Sequence, residues 1–240
     1  MRPDAVHRVL DAELAAARDR RGGEPPRVLD VGGGSGVWAV PLAVAGCAVT
    51  VVEPSPNALA TLNRRAAEAG VLDRITAIQG DTDALDHEAS ADLVLGHGLL
   101  EVVDDAGVAL AALAAATAPG GAVSVLVANR FAAVVHRATG DRLVDARRLL
   151  DDEAGQLAGT RDPLLRRFDV AGLEALVRDA GLGVELVQGY GVVSDLVPGS
   201  VLEANPGAAE ALAELELVAS TRPPLRDVAA RLHVLGRKPG

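Results

Sequence analysis

Val28-Leu29-Asp30-Val31-Gly32-Gly33-Gly34-Ser35-Gly36 decides the fold of this 240-residue chain. The first four residues suit a buried strand, the glycines suit a tight turn, and residues 37–45 read as a helix. Glycine lets the backbone approach a ligand closely and adopt positive φ without steric cost. A strand, glycine turn and helix opening an α/β region point to a nucleotide-like cofactor. Seventeen residues past Gly36, a second apolar strand, Ala48–Glu53, ends in an acid. Glu53 therefore stands where a ribose diol is usually held.

Working outward, helical periodicity runs over about 3–17, with Val6, Val9, Leu10 and Leu14 on one face. Residues 20–26 break it and launch the first strand, Arg27–Val31. The pattern then predicts a helix over 57–69 stopped by Gly70, strands at Ile75–Gln79 and 91–96, and a helix over 105–116. Pro119-Gly120-Gly121 reads as the turn into a strand over 122–128. Apolar strands alternating with helices predict a parallel sheet covered on both faces. Residues 130–167 interrupt this rhythm. A helix over 168–182, a strand over 184–187, a helix over 208–220 and a last strand over 229–236 follow. Leu212, Leu215 and Val218 share a face that is either core or a dimer contact, core being the expectation. One domain over 1–240, with insertions at about 130–167 and 192–226 on the substrate side, is the simplest organisation.

Hydrophobic residues make up 49% of the chain and aromatics only 2%, so Val, Leu and Ala must build the core. Cys47 is solitary, which excludes a disulfide framework, and nothing suggests a metal. The net charge of −10 argues against a globally basic nucleic-acid binder. Residues 130–167 nevertheless hold eight arginines against six acids, and residues 222–238 are also locally basic. No apolar run reaches membrane-spanning length, and Met1-Arg2-Pro3-Asp4 begins no signal peptide. The expectation is a cytoplasmic enzyme, monomer or homodimer, with no membrane and no metal partner.

Three cofactors suit such a turn: a nucleoside phosphate, a dinucleotide or S-adenosylmethionine. A phosphate-cradling loop needs Lys and Ser/Thr after its glycines, whereas Val37 and Trp38 follow Gly36. A dinucleotide stays open, because the glycines loosely approximate its fingerprint. Gly80-Asp81-Thr82-Asp83, which could meet an adenine amine, and His97 at the tip of strand four favour the methyl donor. Asp30 is expected to fix the glycine turn or to meet the donor's ammonium group through water. Asn129 and Arg130, at the carboxyl edge after strand five, are candidates for acceptor contact. Arg137, Arg142, Arg147 and Arg148 would suit a carboxylate or phosphate. Trp38 reads as core packing.

Together these segments resemble the motif series of class I S-adenosylmethionine-dependent methyltransferases. That resemblance implies a seven-stranded Rossmann-like sheet, order 3-2-1-4-5-7-6 with strand seven antiparallel and helices on both faces. His97-Gly98-Leu99-Leu100-Glu101-Val102-Val103-Asp104, residues 120–129, Arg137-Ala138-Thr139-Gly140-Asp141, residues 173–181 and residues 231–239 more closely resemble the bacterial tRNA 5-carboxymethoxyuridine methyltransferase family. That family methylates the carboxylate of a modified wobble uridine. It implies cofactor contacts at Arg2, Gly32, Gly33, Glu53, Thr82, Asp83 and His97, with Gly34 completing the turn. The chain departs from it at Val102, which replaces a tryptophan, at Gly191-Val192-Val193-Ser194-Asp195, and in its lysine-poor insertion. The implied acceptor is tRNA; the alternative is a small acidic metabolite. No residue is assigned as a general base, since a carboxylate acceptor needs none.

Overall fold

The computed structural model describes the chain except residues 1–3, 83, 84, 86–89 and 160. Arg2 and Asp83 thus lie outside the described residues. Seven strands form one sheet: β1 (Arg27–Val31), β2 (Ala48–Glu53), β3 (Ile75–Gln79), β4 (Ala91–His97), β5 (Thr117–Ala128), β6 (Gly183–Tyr190) and β7 (Arg231–Arg237). Their order is β3-β2-β1-β4-β5-β7-β6, with β7 antiparallel to both neighbours. This is the order that the motif series implied.

Helices α1 (Ala5–Arg20), α2 (Ala39–Val44) and α3 (Pro56–Glu68) cover one face, where Leu10, Leu62, Leu93, Leu95 and Leu126 pack. Helices α4 (Ala106–Ala115) and α7 (Val170–Asp179) cover the other, over Val94, Leu110, Leu113, Val125 and Leu173. Several helices start on side-chain caps. Asp4, Ser55, Asp105 and Asp169 accept from the backbone N–H groups of His7, Ala58, Gly107 and Gly172. Such a cap contributes about 1 kcal/mol. The Asp4 cap also explains why α1 starts at Ala5 rather than at residue 3.

Three expectations change. Pro119-Gly120-Gly121 is a bulge inside β5 rather than a turn before it. Ala91 pairs with Thr117 while Leu93 pairs with Ala122, and Gly120 absorbs the extra chain at φ +71°. The interrupting segment contains two helices, α5 (Arg130–Thr139) and α6 (Leu143–Asp151), packed on each other. Finally, the apolar face of α9 (Ala208–Ala219) is not core: Leu215 is 50% and Val218 46% exposed. The preceding short helix α8 (Gly199–Ala204) and α9 contact each other, and among the described residues only Ala219 of α9 is buried.

Candidate functional site

β1 ends in the glycine turn, whose Gly32, Gly34 and Gly36 all have positive φ. The turn is seated by Gly32 N–H donating to the Val52 carbonyl at 2.8 Å. At Gly33 a Cβ would lie 2.6 Å from Asp30 Oδ2 and 2.9 Å from Val51 Cγ1. At Gly36 it would lie 2.3 Å from Leu62 Cδ1. Gly33 thus lets the turn lie close over β1 and β2, Gly32 and Gly34 supply its positive φ, and Gly36 lets α3 approach.

Glu53 is buried at the tip of β2. Its Oε2 accepts from Gly34 N–H at 3.0 Å and its Oε1 from Ser55 N–H at 2.9 Å. The carboxylate is therefore held in one orientation with lone pairs to spare for two more donors. Asp30 is buried behind the turn with Oδ2 unpartnered, and burial plus the nearby Glu53 charge push its carboxyl up to about 7.

Beside these groups lies a cavity of about 560 Å³, within the usual range for small-ligand sites. Val31, Gly32, Glu53, Asp81, Thr82 and Leu99 line it, along with the β4–α4 connection through Asp104 and Asp105. Its described lining carries four carboxylates and no Lys or Arg. A pyrophosphate would be repelled there, whereas S-adenosylmethionine, with a sulfonium and an ammonium against one carboxylate, is electrostatically matched. The cavity's charge thus decides against the dinucleotide that the glycine spacing left open. Gly32, Glu53 and Thr82 line the cavity; Asp30, Gly33, Gly34 and His97 are not in its wall.

His97 instead bonds through Nε2 to Ser124 Oγ at 2.8 Å. Its ring lies 4.6 Å from that of Trp38, edge to face, and Trp38 lies 4.6 Å from His7 of α1. Trp38 is half-buried against the core, as expected, and also holds His97.

Asn129 and the two terminal nitrogens of Arg130 are engaged within the fold, while Arg130 Nε, like Arg137 Nε, is buried without a partner among the described residues. Asn129 caps α5 by accepting from Phe131 N–H, and it donates to the carbonyls of Asp227 and Ala229. Arg130 pairs with Asp169 at 2.7 Å and donates to the Asp152 carbonyl. Arg137 and Arg167 share Asp162, at 3.1 and 2.6 Å. Arg147 and Arg148 lie near Asp151 and Asp145 on their own helix. Arg166 donates to the carbonyls of Leu100, Val103 and Asp104. Much of the positive charge in this segment is thus matched internally.

A second chamber, of about 460 Å³, opens at the carboxyl end of β5. Ala128, Ala132, Ala133, Val135, Leu196 and Val228 give it an apolar wall, and Arg137 and Arg167 reach it. Arg137 Nε is buried with no partner. Glu216 of α9 fixes one side by accepting from three successive backbone N–H groups, Val192, Val193 and Ser194. Glu101, 4% exposed, accepts from Ala128 N–H and keeps Oε2 unpartnered, with burial raising its carboxyl. Sequence reading placed no role on Glu216, nor on the buried Ser124, Gln188 and His233. Their signal was a lone polar residue inside an apolar strand, or an acid in a leucine-rich helix.

The family model for a methyltransferase domain matches residues 4–187. The chain belongs to that family, and its fold is that of the class I S-adenosylmethionine-dependent methyltransferases, with S-adenosylmethionine as the cofactor. More particularly, the tRNA 5-carboxymethoxyuridine methyltransferase of Escherichia coli K12 is 31% identical over 130 residues, covering 53% of this chain and 50% of that protein. The ubiquinone biosynthesis O-methyltransferase of Methylocella silvestris is 36% identical over 107 residues, covering 43% and 40%. The match thus spans half or less of these curated relatives. An S-adenosylmethionine-dependent methyltransferase structure from Mesorhizobium loti superposes with a TM-score of 0.61 at 20% identity, covering 98% of each chain. Among the described residues, no helix is long and apolar enough to cross a membrane.

Proposed function

We propose that this chain transfers a methyl group from S-adenosylmethionine to a small acceptor with an apolar body and an acidic group. The observation that carries the acceptor half is the second chamber. It has alanine and aliphatic walls at the carboxyl edge of the sheet, with Arg137 and Arg167 in its lining. Two guanidiniums sharing the single carboxylate of Asp162 leave that trio with a net positive charge in an apolar wall, which suits a carboxylate or another anionic oxygen.

When bound, the cofactor supplies a methyl group on a positively charged sulfur, an already activated leaving group. Glu53 accepts the ribose hydroxyls, held for that task by Gly34 and Ser55. Gly32, Thr82 and Leu99 close around the adenosine side, and Asp30 lies outside the cavity wall, packed beneath Gly33 of the turn. The remaining work is alignment and exclusion of water, for which positioning can supply about 7–11 kcal/mol. The segments 130–167 and 192–226, carried by a single domain, form the acceptor side.

A second reading, methylation of a carboxylate in tRNA, is favoured by the Escherichia coli relative. The internal pairing of Arg130, Arg137 and Arg167 weighs against a broad phosphate-binding surface. Incubation with methyl-labelled S-adenosylmethionine, a bacterial metabolite extract and bulk tRNA separates the two. Label in RNase-resistant small molecules supports the first reading; label confined to carboxymethoxyuridine-containing tRNA replaces it with the second.

A further inference from the structure

Four adjacent strands each contribute one polar side chain to a continuous line across the sheet. Gln188 of β6 meets His233 Nδ1 at 2.9 Å, and His233 Nε2 meets Ser124 Oγ of β5 at 2.8 Å. Ser124 Oγ then meets His97 Nε2 at the tip of β4, also at 2.8 Å. The register places all four on the α1 face, since Gln188 pairs with His233, His233 with Leu126, and Leu126 with His97. Gln188, Ser124 and His233 are buried, His233 completely. Around the line gather the chain's only Trp and one of its few other histidines, Trp38 and His7.

The line has a direction. The Gln188 amide nitrogen only donates, so His233 Nδ1 accepts and its proton sits on Nε2. That proton goes to Ser124 Oγ, whose own proton goes to His97 Nε2. His97 is then left with its proton on Nδ1. Both rings are neutral at physiological pH, because burial lowers His97 well below its ordinary value and His233 to about 4. His97 Nδ1 is buried and has no partner among the described residues. Gly98 and Leu99, the next two residues, line the cofactor cavity.

We propose that Gln188, His233 and Ser124 are positioning residues that lock His97 in its Nδ1–H tautomer, making it a hydrogen-bond donor to a carboxylate bound at the ends of β4 and β5. The carboxylate belongs either to the amino-acid end of the cofactor or to the acceptor. This inference rests on reading that edge as the methyl-transfer site. It also makes His97 Nδ1 a donor rather than a base, which suits an acceptor that arrives already ionised.

Long-range proton–nitrogen NMR of the ¹⁵N-labelled full chain reads the tautomer directly, with His97→Gln identifying the signals. The expected spectrum shows His97 protonated at Nδ1 alone, and Gln188→Leu turns this into a tautomer mixture. A proton on Nε2 in the unmodified chain overturns the inference even if no variant folds, as does an unchanged ratio in a folded Gln188→Leu. S-adenosylhomocysteine is then titrated, followed by propionate as a minimal carboxylate. A His97 Nδ1–H shift with the first assigns the cofactor carboxylate, and a shift only with propionate assigns the acceptor. No shift with either, while backbone amides report binding, overturns the donor role. Absence of any S-adenosylhomocysteine binding defeats the cofactor reading instead.

Discussion

Replacing Asp30 with Asn tests the electrostatics behind the glycine turn. The Asp30 carboxyl is pushed up to about 7, first by burial and then by Glu53, against an ordinary value of 3.8. Between those values the folded chain holds a proton that the unfolded chain has released. Stability therefore falls as pH rises through this window and levels off above about 7, at roughly 1.4 kcal/mol per pH unit. From pH 5 to 7, Asp30 should cost the protein on the order of 2–3 kcal/mol. A carboxamide at this position cannot titrate, so Asp30→Asn should gain on the parent by that amount across the same interval. Urea unfolding at pH 5, 6, 7 and 8 measures it as the difference between the two pH profiles. The raised Glu101 carboxyl is common to both proteins and drops out of the difference. Parallel profiles over pH 5–8 would refute the reasoning, because they would mean that Asp30 is ionised at no cost or solvated.

Three further outcomes are expected. Glu53→Gln should weaken S-adenosylhomocysteine binding by about 10- to 100-fold, the loss of roughly one charged hydrogen bond. It should also lower Tm, because the new amide nitrogen must face the N–H of either Gly34 or Ser55; calorimetry and a melting curve read both. Gly36→Ala should destabilise the fold by about 1–3 kcal/mol, since its Cβ would meet Leu62 at 2.3 Å on a residue with φ +77°, and equal Tm values would discount that contact. Arg130→Met should cost about 3 kcal/mol by stranding Asp169 in a partly buried pair. Adding Asp169→Asn should recover part of the loss, and a double variant less stable than the single one would contradict the pairing.

Strands β1, β2, β4 and β5 were legible because burial demands apolar runs there, whereas the edge strand β3 is largely exposed and shows instead through the mostly β-branched run Ile75-Thr76-Ala77-Ile78 ahead of Gly80. Glu53 and the glycine turn were legible for a related reason: their geometry is local, fixed by adjacent residues and one strand pairing. The bulge at Pro119–Gly121 was not, since its extra residues show only against the register of β4. The roles of Asn129 and Arg130 were set by groups on other segments, Asp227, Ala229, Asp152 and Asp169, which sequence order does not reveal. The same holds for the polar line from His97 to Gln188. Its members are scattered from residue 97 to residue 233; His97 stood out as a strand-tip ligand, but Ser124, Gln188 and His233 each look like an isolated polar residue in an apolar strand. Leu215 and Val218 erred in the opposite sense, because helical periodicity states which residues share a face but not whether anything covers it.

The grip of Glu216 on three consecutive amides has a bearing on how acceptor range can change. Val192 to Ser194 are tied to α9 by charge-assisted bonds, so that flank of the chamber is a fixed jaw. Ala132 and Ala133 on α5 face it and end at Cβ. On the proposal that this chamber takes the acceptor, divergence in substrate size is cheapest by enlarging or keeping those two methyls, which turns α5 into the adjustable half of a gauge whose other half is set.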